Sequence, residues 1–326
     1  MHLSATTKKS TPLDGKPSRH ARRLRRPAAR PPSVRVRLRI AGFYRRLLGQ
    51  WGPQNWWPAD SQFEVIVGAI LTQNTSWTNV ERALRNLRQA RMLSLKSIHE
   101  AESAHLETLL RPAGYFRQKT RRLQELTAFI LASYGLAAEE EPSAVEPALA
   151  RMFAKGEDHP ALARMFAEPT EKLREVLLAQ KGVGPETADS ILLYGGNHAV
   201  FVVDAYTRRI FQRHKLAKPA TAYETIRLMV EGALRDWPPE DDENAKPAHP
   251  EASLESPQTP RPEIHQPSAI SAAYRSEQAQ RYNEFHALLV QVGKHYCLKK
   301  APKCTNCPLS CFLPMSDNVQ AGAGLR

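Results

Sequence analysis

The chain has 326 residues, with 46 Lys or Arg against 33 Asp or Glu, so its formal net charge is +13 at neutral pH. No segment approaches the roughly 18 consecutive apolar residues of a membrane span, and no apolar signal core follows the basic N-terminus. These features exclude an integral membrane protein and predict an intracellular protein that has no membrane partner.

Basic and acidic residues are unevenly distributed along the chain. Residues 1–39 contain 12 Lys or Arg and one acid, whereas residues 238–268 contain seven acids, two basic residues and eight prolines. Because the first 33 residues lack an apolar pattern, we predict a disordered basic tail at 1–33. The second segment has linker composition, and we predict a Pro-rich acidic insert at 238–268. A basic tail suits a polyanionic partner such as nucleic acid, but it can also serve solubility alone.

Apolar residues recur at helical spacing through most of the remaining chain, and no segment alternates convincingly as a strand would. The sequence therefore predicts an all-α fold. In chain order, the predicted helices cover 34–51, 62–72 and 77–87, two or three helices within 93–135 with a turn at 112–114, then 171–180, 186–194, 205–214, 220–236 and a helix between 273 and 297.

A glycine-rich turn, Lys181–Pro185, separates two of the predicted helices. Gly182 and Gly184 can both adopt positive φ, and no side chain shields the backbone N–H groups of the turn. Such a turn before a helix N-terminus can bind a phosphate of the DNA backbone. Taken alone, a G-x-G turn is more often only a tight connection between helices.

The residues that follow favour the binding role. The motif L-x-x-x-G-V-G-x-x-T-A-x-x-I-L and the later V-V-D-A-Y-x-x-R-I resemble the helix-hairpin-helix and aspartate signature of the endonuclease III superfamily of DNA glycosylases. The resemblance covers most of residues 55–215 and resumes at NEFHALLVQVGKHYC. It implies a monomeric enzyme of base excision repair that binds double-stranded DNA containing a damaged base, in the cytoplasm or at the nucleoid. Residues implied to contact DNA phosphates are Gly182, Val183, Gly184 and Lys119.

The resemblance identifies Asp204 as the catalytic carboxylate. Breaking an N-glycosidic bond builds positive charge on the sugar, and a carboxylate can stabilise that charge and orient a water molecule. Asp204 also begins a predicted helix, so it can serve as an N-cap as well.

The damaged base must leave the stack before it can be excised. By resemblance, Gln73 fills the gap that the extruded base leaves. The order of Trp56, Trp57, Pro58 and Trp77 is similar to the 3-methyladenine glycosylase branch of the superfamily. We expect the three tryptophans to form an aromatic sandwich that favours an electron-poor alkylated purine through cation–π attraction, although each could simply pack in the core. His286 and Lys294, on the last predicted helix, are candidates either to line the site or to cap the face between the subdomains.

Glu186 marks a departure from endonuclease III itself. In superfamily members that also cut the DNA backbone, a lysine at this position attacks the sugar as an amine. A glutamate cannot form a Schiff base, so we predict a monofunctional glycosylase with weak or absent lyase activity. The alternatives are an endonuclease III-type oxidised-pyrimidine glycosylase with lyase activity and a non-catalytic iron–sulfur DNA-binding protein.

All four cysteines lie within 15 residues near the C-terminus, at Cys297, Cys304, Cys307 and Cys311. Four thiols in such a window of an intracellular chain predict a metal site, and the resemblance implies a 4Fe-4S cluster, with zinc as the alternative. The last interval is two residues shorter than the usual family spacing, which leaves Cys311 as the least certain ligand.

We therefore predict two helical subdomains. A helical barrel that contains the helix-hairpin-helix covers 61–199. The iron–sulfur-bearing subdomain combines 34–60, 200–237 and 269–315, and the chain ends in a flexible segment, 316–326.

Overall fold

The protein was analysed as a computed structural model that describes residues 32–135, 159–235 and 265–314. Within these ranges the chain forms twelve α-helices, a π-helix, three short 3₁₀ turns and no β-strand, which confirms the predicted all-α fold. None of the helices in these ranges has the length and apolarity needed to cross a bilayer. The predicted basic tail, most of the Pro-rich insert and the C-terminal segment lie outside the described residues.

The α-helices follow the predicted order closely. They are α1 (Val34–Trp51), α2 (Gln62–Leu71), α3 (Trp77–Gln89), α4 (Leu95–Glu100), α5 (Ser103–Leu110), α6 (Phe116–Tyr134), α7 (Pro160–Phe166), α8 (Thr170–Leu178), α9 (Pro185–Ser190), α10 (Ala205–Arg213), α11 (Tyr223–Leu234) and α12 (Glu277–His295).

Side-chain caps explain where several helices begin. Ser61 accepts a hydrogen bond from the backbone N–H of Glu64 at 3.1 Å and starts α2. Ser276 caps α12 in the same way, and Asp204 caps α10. Each cap satisfies one of the backbone donors that a helix leaves unpaired in its first turn.

The helices pack in two groups. In one group, α10 packs on α12 and α11 packs on α1. In the other, α2 lies at the centre and contacts α3, α6 and α9. All ten residues of α2 are buried, as a helix whose residues are apolar apart from Gln62 and Glu64 predicts.

A π-helix, Ile191–Gly195, joins the two groups because it contacts both α2 and α12. The sequence predicts one continuous α-helix over 186–194, whereas the structure widens its second half. The five residues of the π-helix are buried, and the Gln62 side chain donates to the Gly195 carbonyl at 2.7 Å. Since π-helical turns often occur at functional sites, the residues on this turn are candidates for a functional role.

A buried ion network holds the helix after the glycine turn in place. Arg174 on α8 donates to Asp189 on α9 at 2.6 Å and to Glu224 on α11 at 2.6 Å. Arg227 pairs with Glu224 and Glu231. Burial raises the pKa of Asp189, and Arg174 opposes that rise. The network fixes α9 against two helices that come from distant parts of the sequence.

Candidate active site

The glycine turn is a tight hairpin in which its two glycines behave differently. Gly182 has φ of 82°, and a Cβ on it would lie 2.4 Å from Nε of Arg122, so both conformation and space require glycine. Gly184 instead has an extended backbone, with φ of −93° and ψ of 175°. The expectation of positive φ is therefore wrong for Gly184, because the residue before a proline favours an extended conformation.

The structure corrects one of the predicted phosphate contacts, the one at Val183. Its side chain is buried, and its N–H donates to the Gln180 carbonyl at 3.1 Å within the turn. This amide is therefore already engaged. Among the described residues, no acceptor is recorded for the N–H groups of Gly182 and Gly184.

Gln73 is bound to this hairpin. Its side-chain amide donates to the Gly182 carbonyl at 3.0 Å and to the Thr187 hydroxyl at 2.9 Å, and its carbonyl accepts from Arg122 at 2.5 Å. The structure thus places the predicted gap-filling residue beside the predicted phosphate-binding turn. To fill the space of an extruded base, Gln73 has to exchange these three hydrogen bonds for contacts with DNA.

Lys119 does not lie where a phosphate contact requires it. The residue is 1% exposed, and its ammonium donates to the carbonyls of Leu71 and Ala113, both at 2.8 Å. Burial and, to a smaller extent, the charge of Arg122 lower the pKa of Lys119 to about 8. Lys119 closes the C-terminal ends of two helical segments, so its predicted phosphate contact is wrong.

The three tryptophans form one cluster, but they do not form an open sandwich. The ring centroids of Trp57 and Trp77 are 4.9 Å apart at an interplanar angle of 90°, and those of Trp56 and Trp57 are 5.5 Å apart at 61°. A base between two parallel rings needs about 7 Å, or two van der Waals thicknesses. The cluster as it stands has no such gap, because the rings pack edge to face on one another.

Gly68 on α2 makes room for this cluster. A Cβ at Gly68 would lie 3.2 Å from the indole of Trp57. Of the three tryptophans, Trp56 and Trp57 are buried, whereas Trp77 at the start of α3 is half-buried. Trp77 is therefore the ring that can move with the least loss of packing.

Asp204 holds a defined position at the start of α10. One carboxylate oxygen accepts from the N–H of Thr207 at 2.7 Å, so the residue is the N-cap that the sequence predicts. The other oxygen lies 3.7 Å from Nε2 of His286, and the Asp204 side chain is 13% exposed. Asp204 is thus held by the fold while one oxygen remains available for chemistry.

His286 in turn lies against Tyr194. The Tyr194 hydroxyl and Nδ1 of His286 are 2.6 Å apart, and both residues are buried. Burial lowers the pKa of His286, and the nearby Asp204 opposes this effect. Burial also raises the pKa of Tyr194 well above its usual value, and the charge of Asp204 adds to the rise. Both groups are therefore neutral at neutral pH.

Two further ionisable side chains, Glu186 and Lys294, lie near enough to Asp204 for its charge to shift their pKa values. Partial loss of solvation and the negative charge of Asp204 raise the pKa of Glu186 to about 7, although the residue is exposed to solvent, which weakens both effects. Nζ of Lys294 lies 5.9 Å from the ring centroid of Trp56. Burial lowers the pKa of Lys294, and Glu81 and Asp204 act in the opposite direction. Lys294 therefore lies over one tryptophan of the cluster and within the electrostatic influence of Asp204.

A comparison with protein families identifies the superfamily to which this chain belongs. Residues 67–234 match the HhH-GPD superfamily of base excision DNA repair proteins. The chain belongs to this superfamily. The resemblance seen in the sequence motifs is confirmed, and the hairpin is the helix-hairpin-helix from which the HhH-GPD superfamily takes its name.

Related proteins agree with this assignment. A protein of Methanocaldococcus jannaschii, named as a candidate DNA repair glycosylase, is 37% identical over 273 residues, which is 84% of this HhH-GPD chain and 94% of the relative. The structure of Helicobacter pylori 3-methyladenine DNA glycosylase bound to 1,N6-ethenoadenine is 27% identical with a TM-score of 0.52, covering 79% of this chain and 97% of that one. Endonuclease III in a non-covalent DNA complex has the same fold at 14% identity and a TM-score of 0.56, covering 87% and 98% of the two chains.

The four cysteines of this HhH-GPD chain lie in one C-terminal loop. Cys297, Cys304 and Cys307 line a common cavity, and burial together with the three other thiols raises the pKa of Cys307 to about 12. Such mutual repulsion is what a positive metal centre would relieve. Among the described residues, no three His, Cys, Asp or Glu side chains approach closely enough to hold a metal ion.

The cysteine loop is also fastened to the helix that Asp204 begins. Arg209 of α10 donates to the Cys297 carbonyl at 2.5 Å, and Arg213 donates to the Cys297 sulfur at 3.1 Å. Sequence reasoning did not find these contacts, since arginines on a basic chain carry no distinguishing pattern. It also missed Tyr194, which reads as one more apolar residue of a buried helix.

Proposed function

We propose that the protein is a monofunctional DNA glycosylase that hydrolyses the N-glycosidic bond of a damaged base, most specifically an alkylated purine, in double-stranded DNA. The observation that carries the proposal is the position of Asp204. Its second oxygen faces His286, whose partner Tyr194 packs against Trp57 of the aromatic cluster. Asp204 also follows a helix-hairpin-helix turn in a chain of the HhH-GPD superfamily.

DNA binding is supported by the hairpin and by the solved relatives. The N–H groups of Gly182 and Gly184 suit a backbone phosphate, which positions DNA whatever its sequence. Endonuclease III, which shares the fold, forms a complex with DNA, and the related 3-methyladenine glycosylase binds an ethenoadenine base. We propose that the chain acts as a monomer on the duplex.

The proposed reaction begins when the damaged base leaves the duplex and stacks on the aromatic cluster. Trp77 moves to admit the base, and Gln73 leaves the hairpin to fill the vacated space. A purine alkylated on a ring nitrogen carries positive charge, which π faces attract. The same charge makes the base a good leaving group, since it departs as a neutral molecule.

Asp204 then supports bond cleavage. The bond between the base nitrogen and C1′ breaks, its electron pair leaves with the base, and the sugar becomes positively charged. The free oxygen of Asp204 stabilises that charge. A water molecule that Asp204 orients adds its oxygen to C1′ and passes one proton to the Asp204 carboxylate. The product is an abasic site in an unbroken strand.

The residue at position 186 supports hydrolysis without strand cleavage. A lyase reaction needs an amine that attacks C1′, and a carboxylate does not form a Schiff base. Lys294 is the other amine near Asp204, but its ammonium lies over Trp56 on the base side. The second candidate, an endonuclease III-type glycosylase and lyase, is therefore less well supported.

We propose that a 4Fe-4S cluster occupies the cysteine loop, held by Cys297, Cys304, Cys307 and Cys311. Such a cluster accepts four thiolates, and three of the four thiols line one cavity. The role is structural. The cluster holds a loop whose nearby Lys299, Lys300 and Lys303 can meet DNA phosphates.

The test is mass spectrometry of the bases released from duplexes that carry a panel of lesions, including methylated and oxidised bases. We expect release of alkylated purines and intact strands after incubation. The matched control is Asp204→Asn, which keeps an oxygen that can cap α10 but removes the charge. Release by the wild type and not by the variant supports the proposal. Equal release by both would remove Asp204 from the mechanism, and no release of any base would leave a non-catalytic DNA-binding protein.

A further inference from the structure

His286 presents an unused ring nitrogen to Asp204. Its Nδ1 lies 2.6 Å from the Tyr194 hydroxyl, while its Nε2 lies 3.7 Å from Oδ2 of Asp204. The His286 side chain is 6% exposed, and no hydrogen-bond partner of Nε2 is found among the described residues. A buried ring nitrogen without a partner, directed at a carboxylate that functions in the proposed reaction, calls for an explanation.

The charges around the ring decide which nitrogen carries the proton. If Nε2 were unprotonated, its lone pair would face the carboxylate of Asp204 and the two would repel each other. If Nε2 carries the proton, its N–H dipole points at the carboxylate, and Nδ1 is free to accept from Tyr194. The second tautomer is favoured at both ring nitrogens. At Nδ1 the Tyr194 hydroxyl donates a hydrogen bond, and at Nε2 the N–H of His286 faces Asp204.

Tyr194 has no freedom to take another role. It lies in the buried π-helix, its ring centroid is 4.9 Å from that of Trp57, and it is fully enclosed. The indole N–H of Trp56 lies near enough to favour the ionised hydroxyl, although it does not reach hydrogen-bond distance. The hydroxyl is thus left with His286 as its hydrogen-bond partner among the described residues.

From these contacts we propose that Tyr194 and His286 are positioning residues that align the free oxygen of Asp204 for the glycosylase reaction. We call this pair the relay. The inference rests on the proposed function. Tyr194 fixes the tautomer and the ring plane of His286, and His286 fixes the rotation of the carboxylate. The capping bond from Thr207 holds the first oxygen of Asp204, and the N–H of His286 directs the second.

A neutral donor is suited to this purpose. Burial lowers the pKa of His286, so the ring orients the carboxylate through a dipole. A full positive charge at the same place would compete with the sugar for the carboxylate. A neutral ring leaves the negative charge of Asp204 available to the developing charge on the substrate.

The alternative is that Tyr194 and His286 merely satisfy each other inside the core. Single-turnover excision at saturating protein separates the two roles. We expect His286→Leu, which keeps a similar volume without a donor, to lower the excision rate at least about tenfold. His286→Gln can place an amide N–H near the position of Nε2, and we expect it to recover most of the rate. We expect Tyr194→Phe to lower the rate severalfold while the Kd for lesion-containing duplex stays at the wild-type value.

Tyr282→Phe is the matched control. Tyr282 is also fully buried and its hydroxyl also makes hydrogen bonds, but these go to Glu231 and Gln278, away from Asp204. It should lose similar stability and keep the wild-type rate. Equal rate losses in Tyr194→Phe and Tyr282→Phe, or in His286→Leu and His286→Gln, would overturn the relay.

The experiments distinguish failure of the proposed function from failure of the relay. If the wild type frees no base from any lesion-containing duplex, the glycosylase assignment is wrong and the relay with it. If the wild type excises bases and both His286→Leu and Tyr194→Phe excise them equally fast, only the relay is wrong. Should His286→Leu not fold, as judged by its melting temperature, Tyr194→Phe and His286→Gln still decide the question.

Discussion

Glu186 and Asp204 are close enough for their carboxylates to repel each other, and this repulsion, after loss of solvation, raises the pKa of Glu186 to about 7. By resemblance, Glu186 stands where the lyases of this superfamily hold an attacking lysine, and this position holds here a carboxyl group whose pKa lies near neutral pH. This pair supports two of the following predictions.

The first prediction concerns stability and pH. The pKa of Glu186 is raised in the folded protein from an ordinary value of 4.5 to about 7, so between these values the folded state binds a proton that the unfolded state has lost. Stability must then fall as pH rises through this window. We expect Glu186→Gln, which has no proton to lose, to gain unfolding free energy relative to the wild type between about pH 5 and about pH 8. Urea denaturation at both pH values measures this, and a difference that does not change with pH would contradict it.

A second substitution at the same position tests the reaction type. We expect Glu186→Lys to introduce an amine that attacks C1′, so borohydride should trap a covalent protein–DNA adduct that the wild type does not form. Glu186→Arg is the matched control, because it adds the same charge without a nucleophilic amine. Adducts of equal yield in both variants, or in the wild type, would argue against the assigned geometry.

The two glycines of the hairpin give a paired test of DNA binding. A Cβ on Gly184 meets no atom within 4 Å, so Gly184→Ala should change stability by only about 0.5 kcal/mol, as expected for an N-cap substitution. Its Kd for duplex DNA should nevertheless rise severalfold, because the methyl group obstructs a phosphate. Gly182→Ala should instead destabilise the free protein by about 1 kcal/mol or more, since it combines positive φ with a clash. Unchanged DNA affinity in Gly184→Ala would remove the hairpin from the interface.

Lys119 should matter for folding and not for DNA. Lys119→Met leaves the carbonyls of Leu71 and Ala113 without their donor, which should cost about 1–3 kcal/mol of stability. The salt dependence of DNA binding should stay the same, whereas loss of a phosphate contact would lower the slope by about one. Binding isotherms at several salt concentrations distinguish the two outcomes.

The cysteine loop predicts a specific inorganic content. Protein purified without oxygen should contain iron and acid-labile sulfide in equal amounts, about four of each per chain. Cys307→Ser should lose both, because Cys307 is the thiol on which the charges of the other three all act. Cys311→Ser tests the shortened interval, and we expect iron content to fall there also. Zinc in place of iron and sulfide would favour the alternative site.

Sequence reasoning predicted most of the helices because their apolar residues follow the helical period. It also predicted the tight turn at 181–185 and the N-cap position of Asp204, because each depends on a short local motif. It failed where a residue's role depends on contacts across the chain. Lys119 resembles any basic residue of a DNA-binding protein, and only the fold shows that its ammonium closes two helical segments. Val183 is similar, since no sequence pattern shows that its amide bonds within the turn.

The geometry of the aromatic cluster was also beyond the sequence. The order of tryptophans suggested a sandwich, but the angles between rings depend on how α2 and α3 approach, and on the room that Gly68 provides. The position of the Tyr194 side chain depends on a π-helix, a local widening of the backbone that has no strong sequence signal. The residues that surround Asp204 come from three separate stretches of chain, so their meeting is a property of packing.

One oxygen of Asp204 caps α10, and the other is the one proposed to act in the reaction. This shared position links the activity of the protein to the thermal stability of one helix end. The capping oxygen secures the first turn of α10, which is a place where helices ordinarily fray. Fraying there would release the carboxylate from its orientation at the same moment. We therefore expect the enzyme to lose activity on heating a few degrees before its global unfolding, with the start of a single helix setting the upper temperature at which it can work.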